Sequence, residues 1–470
     1  MNSFHLQAQL DLVAQLRVTN PQAAEALLRQ VLSLAPTEPV VLSRAALLLH
    51  QFGRTVEALP WMEQAIASDP RAAFYNDYGS LLLAVGNKSE AVEAYRAAVR
   101  IEPSYFLAHL NLADALASVY CHEEAITLYG RALGICPASA DALLGLASAL
   151  LHVGKVGDSL AACRMAVAIR PGDVPALHTL AVALMKNGSP KEAMDAVRQA
   201  LAQAPTYAKG WHTLGNFHDE AGETKLAIQA YQRALELDPA LDEARFDIAA
   251  LGGTSPPPVM PQSYLIRLFD SYAAHFEQNL VRDLDYRVPE NLCELVQKCL
   301  PVPSEQHLRI VDLGCGTGLL GKQFKQMAEN LVGVDLSEGM LKRAAATGRY
   351  DHLSCGDVVD FLTATNLSFD LILAADLLIY IGDLQNLIAA CAKRMNPRGL
   401  LACSIETVPS PETYVLRSTR RYAHSLRYMQ DLAARNGFKV LEAQPTTIRR
   451  STDGFVEGHL IVMQLADRQT

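Results

Sequence analysis

The sequence predicts a two-part fold: an all-α repeat solenoid, then an α/β domain built on a doubly wound, seven-stranded sheet. Three observations predict it. Prolines recur at Pro36, Pro70, Pro103, Pro137, Pro171, Pro205 and Pro239, at steps of 34 residues with a single step of 33. Beyond residue 300, short apolar runs alternate with amphipathic segments, and the first run feeds the glycine loop Gly314-Cys315-Gly316-Thr317-Gly318. Between the two patterns lies Gly252-Gly253-Thr254-Ser255-Pro256-Pro257-Pro258, which no helix crosses.

Small and large residues keep phase with the prolines. Ala58, Met62 and Ala65 precede Pro70, and Ala91, Tyr95 and Ala98 precede Pro103. Ala125, Tyr129 and Ala132 precede Pro137, and the last unit holds Trp211, Leu214, Gly215, Ala227, Tyr231 and Ala234 before Pro239. Alanines let paired helices approach, the larger residues fill the gap between neighbouring repeats, and the proline stops the second helix. Seven units run from about Ser3 to Pro239, the first degenerate, with one deletion between Pro70 and Gly79. Leu241 to Leu251 is expected as a closing helix over the last apolar face. Residues 1–250 then form the solenoid, 251–262 a linker, and 263–470 the second domain. In the linker the glycines are expected to permit a swivel and the prolines to act as an extended spacer.

Composition bounds the function. Half of the 470 residues are apolar and 19% are charged, as in ordinary globular chains. The first 250 residues carry 19 basic and 26 acidic side chains, and the remainder 22 and 24. No basic stripe marks a nucleic-acid surface, so none is expected as partner. The nine cysteines are scattered without a C-x-x-C pair, which reads as reduced thiols in the cytoplasm with neither disulfide nor metal site. No apolar run approaches the ~18 residues of a membrane span, and Met1 to His5 lacks the charged-then-apolar pattern expected of a signal.

The α/β elements alternate along the second half. Leu308 to Val311 is the first strand, and Leu319 to Ala328 continues from the loop as a helix. A strand turning into a helix through three glycines presents backbone N–H groups and a positive helix end to a ligand. Glycines suit positive φ and close ligand approach. Asp312, two residues before Gly314, sits where a carboxylate attracts a cationic amine rather than a pyrophosphate, and S-adenosylmethionine carries ammonium and sulfonium charges. Leu331 to Asp335 is a second strand ending in an acid suited to ribose hydroxyls. Ser337 to Leu341 opens a helix. His352 to Cys355 is the third strand, followed by Gly356, Asp357 and Val358. The plainer account makes each acid a helix N-cap. Gly316 to Gly321 also satisfies the G-x-G-x-x-G dinucleotide pattern, but an NAD enzyme gives no role to Asp312 or Asp357.

Phe369 to Asp376 is an apolar fourth strand, read as central and parallel, with Asp376 at the edge where ligands bind in open α/β sheets. Tyr380 comes next on that rim. Gly399 to Glu406 is the fifth strand, and Lys439–Pro445 and Gly458–Leu465 complete seven. Before the first strand, one helical segment reaches from Tyr264 to Phe276 and another from Pro289 to Cys299. Phe269, Tyr272, Phe276 and Tyr286 are candidates to line an acceptor pocket, or else are core aromatics. The segment Leu416 to Ser425 is polar, basic and aromatic. Its plain reading is a solvated loop with Ser425 capping the helix Leu426–Asn436. Its functional reading uses Arg421 as a planar fork for an anionic group, Tyr422 as a contact and His424 as a base near neutral pH.

With those residues in view, the chain resembles bacterial class I methyltransferases dependent on S-adenosylmethionine and fused behind tetratricopeptide repeats. Leu268 to Ala273, Tyr286 to Pro289, Asp312 to Gly321, Ala375-Asp376, Ile405-Glu406-Thr407 and Arg421 to Ser425 are similar to that group's recurring segments. The resemblance implies a Rossmann-like seven-stranded methyltransferase domain. It implies S-adenosylmethionine held by Asp312, Gly314, Cys315, Gly316, Gly318, Asp335, Leu336, Met340, Asp357 and Val358. The expected catalytic candidates are His424 first, then Asp376 and Glu406. The acceptor contacts are Tyr272, Arg287, Tyr380, Arg421 and Tyr422, with Arg421 and Arg287 orienting an anionic acceptor. The repeats are expected to hold a protein partner on their concave surface. Two function classes are open: a methyltransferase recruited to a protein, or a non-catalytic scaffold with an S-adenosylmethionine-binding domain.

Overall fold

The 34-residue period resolves into helix pairs of constant length. A computed structural model describes residues 3–272, 286–300, 308–409, 412–451 and 454–467. The repeats comprise α1 (Ser3–Thr19), α2 (Pro21–Leu34), α3 (Pro39–Gln51), α4 (Thr55–Ser68), α5 (Ala72–Ala84), α6 (Lys88–Ile101) and α7 (Phe106–Ser118). They continue with α8 (His122–Ile135), α9 (Ala140–His152), α10 (Val156–Ile169), α11 (Val174–Lys186), α12 (Pro190–Gln203), α13 (Ala208–Glu220) and α14 (Thr224–Leu237). From α3 onward, a helix of 13 residues alternates with one of 14. Small residues make room for rings: a Cβ on Gly79, Gly145 or Gly215 would run into Tyr95, Tyr129 or Tyr231. Each of these buried tyrosines places its hydroxyl on a polar side chain, Ser80 at 3.0 Å, Asp114 at 2.5 Å and Asn216 at 2.8 Å.

The chain divides into two compact units, Met1–Pro205 and Thr206–Thr470. The second contains the last helix pair together with the whole sheet domain. After α14, helix α15 (Asp242–Ala250) closes the repeat, as expected. The glycines behind it work as a helix stop: Gly252 adopts φ +78°, and the N–H groups of Gly252 and Gly253 return to the carbonyls of Ala249 (3.0 Å) and Ile248 (2.8 Å). The expected swivel gives way to an anchored segment. The Pro257 carbonyl accepts the Tyr422 hydroxyl at 2.6 Å. The Pro258 carbonyl accepts the N–H groups of Gly382 (2.8 Å) and Asp383 (2.9 Å), and the Met260 N–H donates to the Tyr380 carbonyl at 3.0 Å. Prolines donate nothing, but their carbonyls are strong acceptors, and here the spacer is fastened to the sheet domain through them.

The sheet is built from β1 (Leu308–Leu313), β2 (Ala328–Asp335), β3 (His352–Cys355), β4 (Phe369–Ala374), β5 (Met395–Glu406), β8 (Phe438–Ser451) and β9 (Gly454–Leu465). A ribbon of β6 (Tyr414–Leu416) and β7 (Tyr422–His424) stands apart. The sheet order is β3-β2-β1-β4-β5-β9-β8; β1 to β5 run parallel, and β9 is antiparallel to both β5 and β8. The central strands are apolar on both faces because both are covered. On one side lie α20 (Val358–Ala364), α21 (Gln385–Arg394) and α22 (Leu426–Arg435), against Val311, Ile372 and Leu401. On the other lie α17 (Val288–Cys299) and α18 (Leu319–Phe324), against Ile310, Leu371 and Leu400. Helix α19 (Glu338–Ala346) packs on β2 and β3, and α16 (Gln262–Tyr272) packs on α19.

Candidate active site

A cavity of about 550 Å³ opens at the carboxyl ends of β1 and β4, the switch point of the strand order. At one end its wall holds Gly314, Cys315, Gly316, Thr317, Asp335, Leu336, Met340, Asp357 and Val358. At the other it holds Asp376, Tyr380, Tyr286, Phe269 and Leu265; Met260 and Gln262, from the segment after the prolines, also line it, with Gln262 beside Asp357.

The glycine loop has the backbone its sequence requires, with φ of +72°, +52° and +92° at Gly314, Gly316 and Gly318. It is tied down by its neighbour strand. Gly314 and Cys315 donate to the Val334 carbonyl at 2.8 and 3.0 Å. Asp335 Oδ2 accepts the Gly316 N–H and Oδ1 accepts the Ser337 N–H, each at 2.9 Å. Ser337, not Asp335, caps α19 through the Met340 N–H at 3.1 Å. Asp357 does cap its helix, accepting from Val359 (2.8 Å) and Asp360 (3.1 Å), and it also takes the Gln262 amide at 3.2 Å. Capping and facing the cavity are thus compatible at Asp357.

Asp312 and Gly318 lie behind the wall rather than in it. Asp312 is fully buried, and its Oδ2 accepts the Tyr350 hydroxyl at 2.7 Å. That hydroxyl in turn accepts the Gly321 N–H at 3.2 Å. A Cβ on Gly318, Gly321 or Gly333 would strike the Tyr350 ring, so these glycines make room for a tyrosine that the motif pattern does not reveal. Burial pushes the Asp312 carboxyl up to about 7; the Tyr350 hydrogen bond opposes the shift and the Asp335 charge adds to it. Among the described residues, Asp312 Oδ1 and Thr317 Oγ1 are buried without a hydrogen-bond partner.

The expected acceptor-side residues separate. Asp376 and Tyr380 line the cavity. His424 does not: it is fully buried, and its Nε2–H donates to the carbonyls of Ile381 (2.9 Å) and Gly382 (3.1 Å). Desolvation lowers its pKa to about 4 against the opposing pull of those carbonyls. It is a structural pin between the ribbon and the rim, not a base facing a ligand. Glu406 is likewise withdrawn, since its carboxylate takes the guanidiniums of Arg449 and Arg417, the latter at 2.9 Å. Tyr422 is fully buried under Pro257. Arg421 reaches the Tyr380 hydroxyl from outside the wall, and Arg287 is exposed. Neither arginine lines the cavity, so their assignment to an anionic acceptor gives way. The Tyr272 side chain and Phe276 lie outside the described residues.

Arg449 is the residue that sequence reasoning missed. It is 2% exposed, and its Nη1 meets both Asp376 oxygens, at 3.1 and 3.4 Å. Asp376 itself adopts φ +54°, in the left-handed region, with its N–H on Ser404 Oγ at 2.8 Å. Burial drives the neighbouring Tyr286 hydroxyl well above its ordinary pKa, with the Asp376 charge adding to the shift. Among the described residues, no cluster of metal-ligating side chains occurs and no helix is long and apolar enough to cross a membrane.

Comparisons with known proteins match different families to the two parts of the sequence. Residues 311–403 match the family described as a methyltransferase domain. Residues 13–73, 77–140, 122–174, 174–217 and 208–241 match tetratricopeptide repeat families. The ubiquinone biosynthesis O-methyltransferase of Nitrobacter winogradskyi is 33% identical over 101 residues, which is 21% of this chain and 38% of that protein. Human methyltransferase-like protein 27 is 37% identical over 90 residues, 19% of this chain and 36% of its own length. The chain therefore spans well under half of the curated relatives it matches. A tetratricopeptide repeat protein from Parabacteroides merdae superposes on 51% of this chain and 96% of its own, with a TM-score of 0.43 and 15% identity.

Proposed function

We propose that this chain, a class I methyltransferase carrying tetratricopeptide repeats, moves the methyl group of S-adenosylmethionine to an acceptor bound beside Asp376, in the cytoplasm. A single observation carries the reading: one cavity joins the glycine loop, Asp335, Met340 and Asp357 to Asp376, Tyr286 and Tyr380. Its size falls within the range of small-molecule sites. The fit to a sulfonium cofactor rests on chemistry. Asp312 Oδ1 is a buried carboxylate oxygen lacking a donor, directly behind a loop of positive-φ glycines. A cationic amine supplies what it lacks.

On this reading the loop and Asp312 hold the methionine end, and Asp335 accepts the ribose hydroxyls. Asp357 and the Val358 N–H meet the adenine edge, with Met340 against its face. The bound cofactor supplies a methyl already activated on sulfur. The chain's own residues then align the acceptor, exclude water and take up a proton. Positioning alone contributes ~7–11 kcal/mol in well-oriented reactions. Leu265, Phe269 and Tyr286 close the acceptor end against water, and Asp376 accepts the acceptor's proton. The names of the relatives favour oxygen as the acceptor atom. The repeats recruit a protein partner.

The test is calorimetric titration of the whole chain with S-adenosylmethionine, S-adenosylhomocysteine and NAD, repeated on Asp335→Ala. Saturable binding of the first two, lost in the variant, is expected. A folded wild-type chain that takes up neither would overturn the reading.

A further inference from the structure

The acceptor end of the cavity is organised around one aspartate. Asp376 is held at a backbone conformation that non-glycine residues sustain only where their surroundings enforce it. Behind it stands a closed ionic chain: Asp376 to Arg449, Arg449 to Glu406, and Glu406 to Arg417. Arg449 and Glu406 are almost fully buried, and Arg417 seals the chain by donating to the Thr407 carbonyl at 2.8 Å. Two carboxylates and two guanidiniums balance. The Asp376 side chain remains 18% exposed and lines the cavity together with Tyr286, Tyr380 and Phe269. Four further carboxylates line the same cavity, Asp335 and Asp357 at its cofactor end together with Asp360 and Asp383. A cavity so lined concentrates cations and repels anions, because clefts with low-dielectric walls focus the field of their charges.

We propose that the Asp376–Arg449 pair selects the acceptor class. The acceptor is an uncharged or cationic molecule on an apolar, ring-sized frame, and its reacting hydroxyl donates a hydrogen bond to Asp376. Acceptors with a carboxylate or phosphate near that hydroxyl are rejected. This rests on the methyltransferase reading of the cavity and refines it. Arg449 acts through Asp376 as a positioning residue: it fixes the carboxylate and cancels the charge of the Asp376–Glu406 pair that would otherwise repel itself. The rings of Phe269 and Tyr380 stand edge to face with centroids 5.3 Å apart, an arrangement that leaves ring surface for an apolar ligand frame.

The experiment uses the whole chain saturated with S-adenosylhomocysteine and four probes on one frame, each titrated by calorimetry. They are benzyl alcohol, 4-(aminomethyl)benzyl alcohol, 4-(hydroxymethyl)benzoate and benzyl methyl ether. The cationic and neutral alcohols are expected to bind at least about tenfold tighter than the benzoate and the ether, a gap of about 1.4 kcal/mol. Asp376→Asn should reduce both the charge preference and the alcohol-over-ether preference by at least about threefold, because the amide oxygen is a weaker, uncharged acceptor. Arg449→Met should tighten the amine probe relative to benzyl alcohol, since it adds net negative charge, while Arg449→Lys restores the wild-type ranking. A merely structural loss would weaken all probes alike. Equal binding of the benzoate and the amine, equal binding of alcohol and ether, or no binding of any probe would each overturn the proposal. Where Arg449→Met does not fold, Asp376→Asn decides it. Failure of S-adenosylhomocysteine to bind is seen before any probe is added, and it sinks the cofactor reading instead.

Discussion

Arg420 and Asp247 are 173 positions apart in sequence, and the guanidinium of the first lies 2.5 Å from the carboxylate of the second. Arg420 sits at the tip of the β6–β7 ribbon with φ +62°, and Asp247 is on α15, 1% exposed. The same guanidinium reaches Asp219 of α13 at 2.7 Å and the Tyr231 hydroxyl of α14 at 3.3 Å. His212 takes the other Asp247 oxygen at 2.7 Å. Beneath this ionic contact, Phe246 packs on Tyr422 and Tyr264. The last repeat is therefore structurally part of the sheet domain, and the next residue along the ribbon, Arg421, touches the Tyr380 hydroxyl on the cavity wall.

A fragment cut at the composition break, residues 263–470, exposes the apolar faces of Phe246's partners and leaves Arg420 unpaired. A fragment of residues 206–470 keeps both. The longer fragment is expected to melt in one cooperative transition and the shorter to aggregate. In the whole chain, Arg420→Ala leaves Asp247 buried beside His212 alone, which is expected to cost about 3–5 kcal/mol. Urea unfolding followed by circular dichroism checks both, and equal cooperativity of the two fragments would refute the assignment.

His424 makes a pH prediction of definite sign. Its native pKa of about 4 lies below the ordinary 6.5 because burial disfavours the charged ring. Between those values the unfolded chain binds the extra proton, so this group's contribution to stability is full above pH 6.5 and is lost as pH falls toward 4. His424→Asn removes that dependence while keeping a donor for the Ile381 carbonyl. The variant-minus-wild-type stability difference should shift by roughly 3 kcal/mol in the variant's favour between pH 7 and pH 4. Turnover of the folded variant at pH 7.5 should stay within about tenfold of wild type, since a lost general base would cost ~10²–10⁴-fold. Denaturant midpoints across that range, with rates at pH 7.5, check the pair of outcomes.

The parts legible in sequence were those with a strict local period. The proline spacing placed every helix pair, and the continuous apolar run at 371–374 marked a central strand. Three glycines in five residues marked a positive-φ loop. What escaped was whatever depended on a broken period or a distant partner. Arg449 follows buried Ile448 in β8, and a strand should turn one of two successive residues outward. A register shift between Thr447 and Arg449 buries both. Tyr422, Ala423 and His424 are three successive buried residues in a polar stretch, because the ribbon lies between the rim and α15. The proline spacer read as a hinge, since its carbonyl partners at Gly382, Asp383 and Tyr422 are more than 120 residues away.

Glu406 links two arginines, and its removal separates stability from binding. Glu406→Ala leaves Arg449 and Arg417 facing each other in a buried site without their shared carboxylate. The expected cost is about 3–5 kcal/mol. Its carboxylate is outside the cavity, so S-adenosylhomocysteine affinity of the folded variant should change by no more than about threefold, or roughly 0.6 kcal/mol. Thermal unfolding and calorimetry on the same preparation read the two numbers. Unchanged stability would show that the ionic chain contributes nothing.

Asp312 sets stability against function. Its native carboxyl titrates at about 7, above the ordinary 3.8, because it is buried. Between those values the native chain holds a proton that the unfolded chain has released, so unliganded stability falls as pH rises from about 4 to about 7 and is flat beyond. Asp312→Asn keeps an oxygen for the Tyr350 hydroxyl and removes the buried charge. At pH 8 the unliganded variant should therefore be more stable than wild type, by on the order of 3 kcal/mol. The same change removes the carboxylate that would meet the cofactor's ammonium, so S-adenosylmethionine affinity should fall by about tenfold or more. In the wild type, binding a cation below pH 7 ionises Asp312, and a proton leaves for the buffer. Calorimetric enthalpies at pH 6 in phosphate and in imidazole should then differ in proportion to the two buffers' ionisation enthalpies, and that difference should vanish in Asp312→Asn. If the variant binds S-adenosylmethionine as tightly as wild type and the buffer dependence persists, Asp312 is a structural partner of Tyr350 alone.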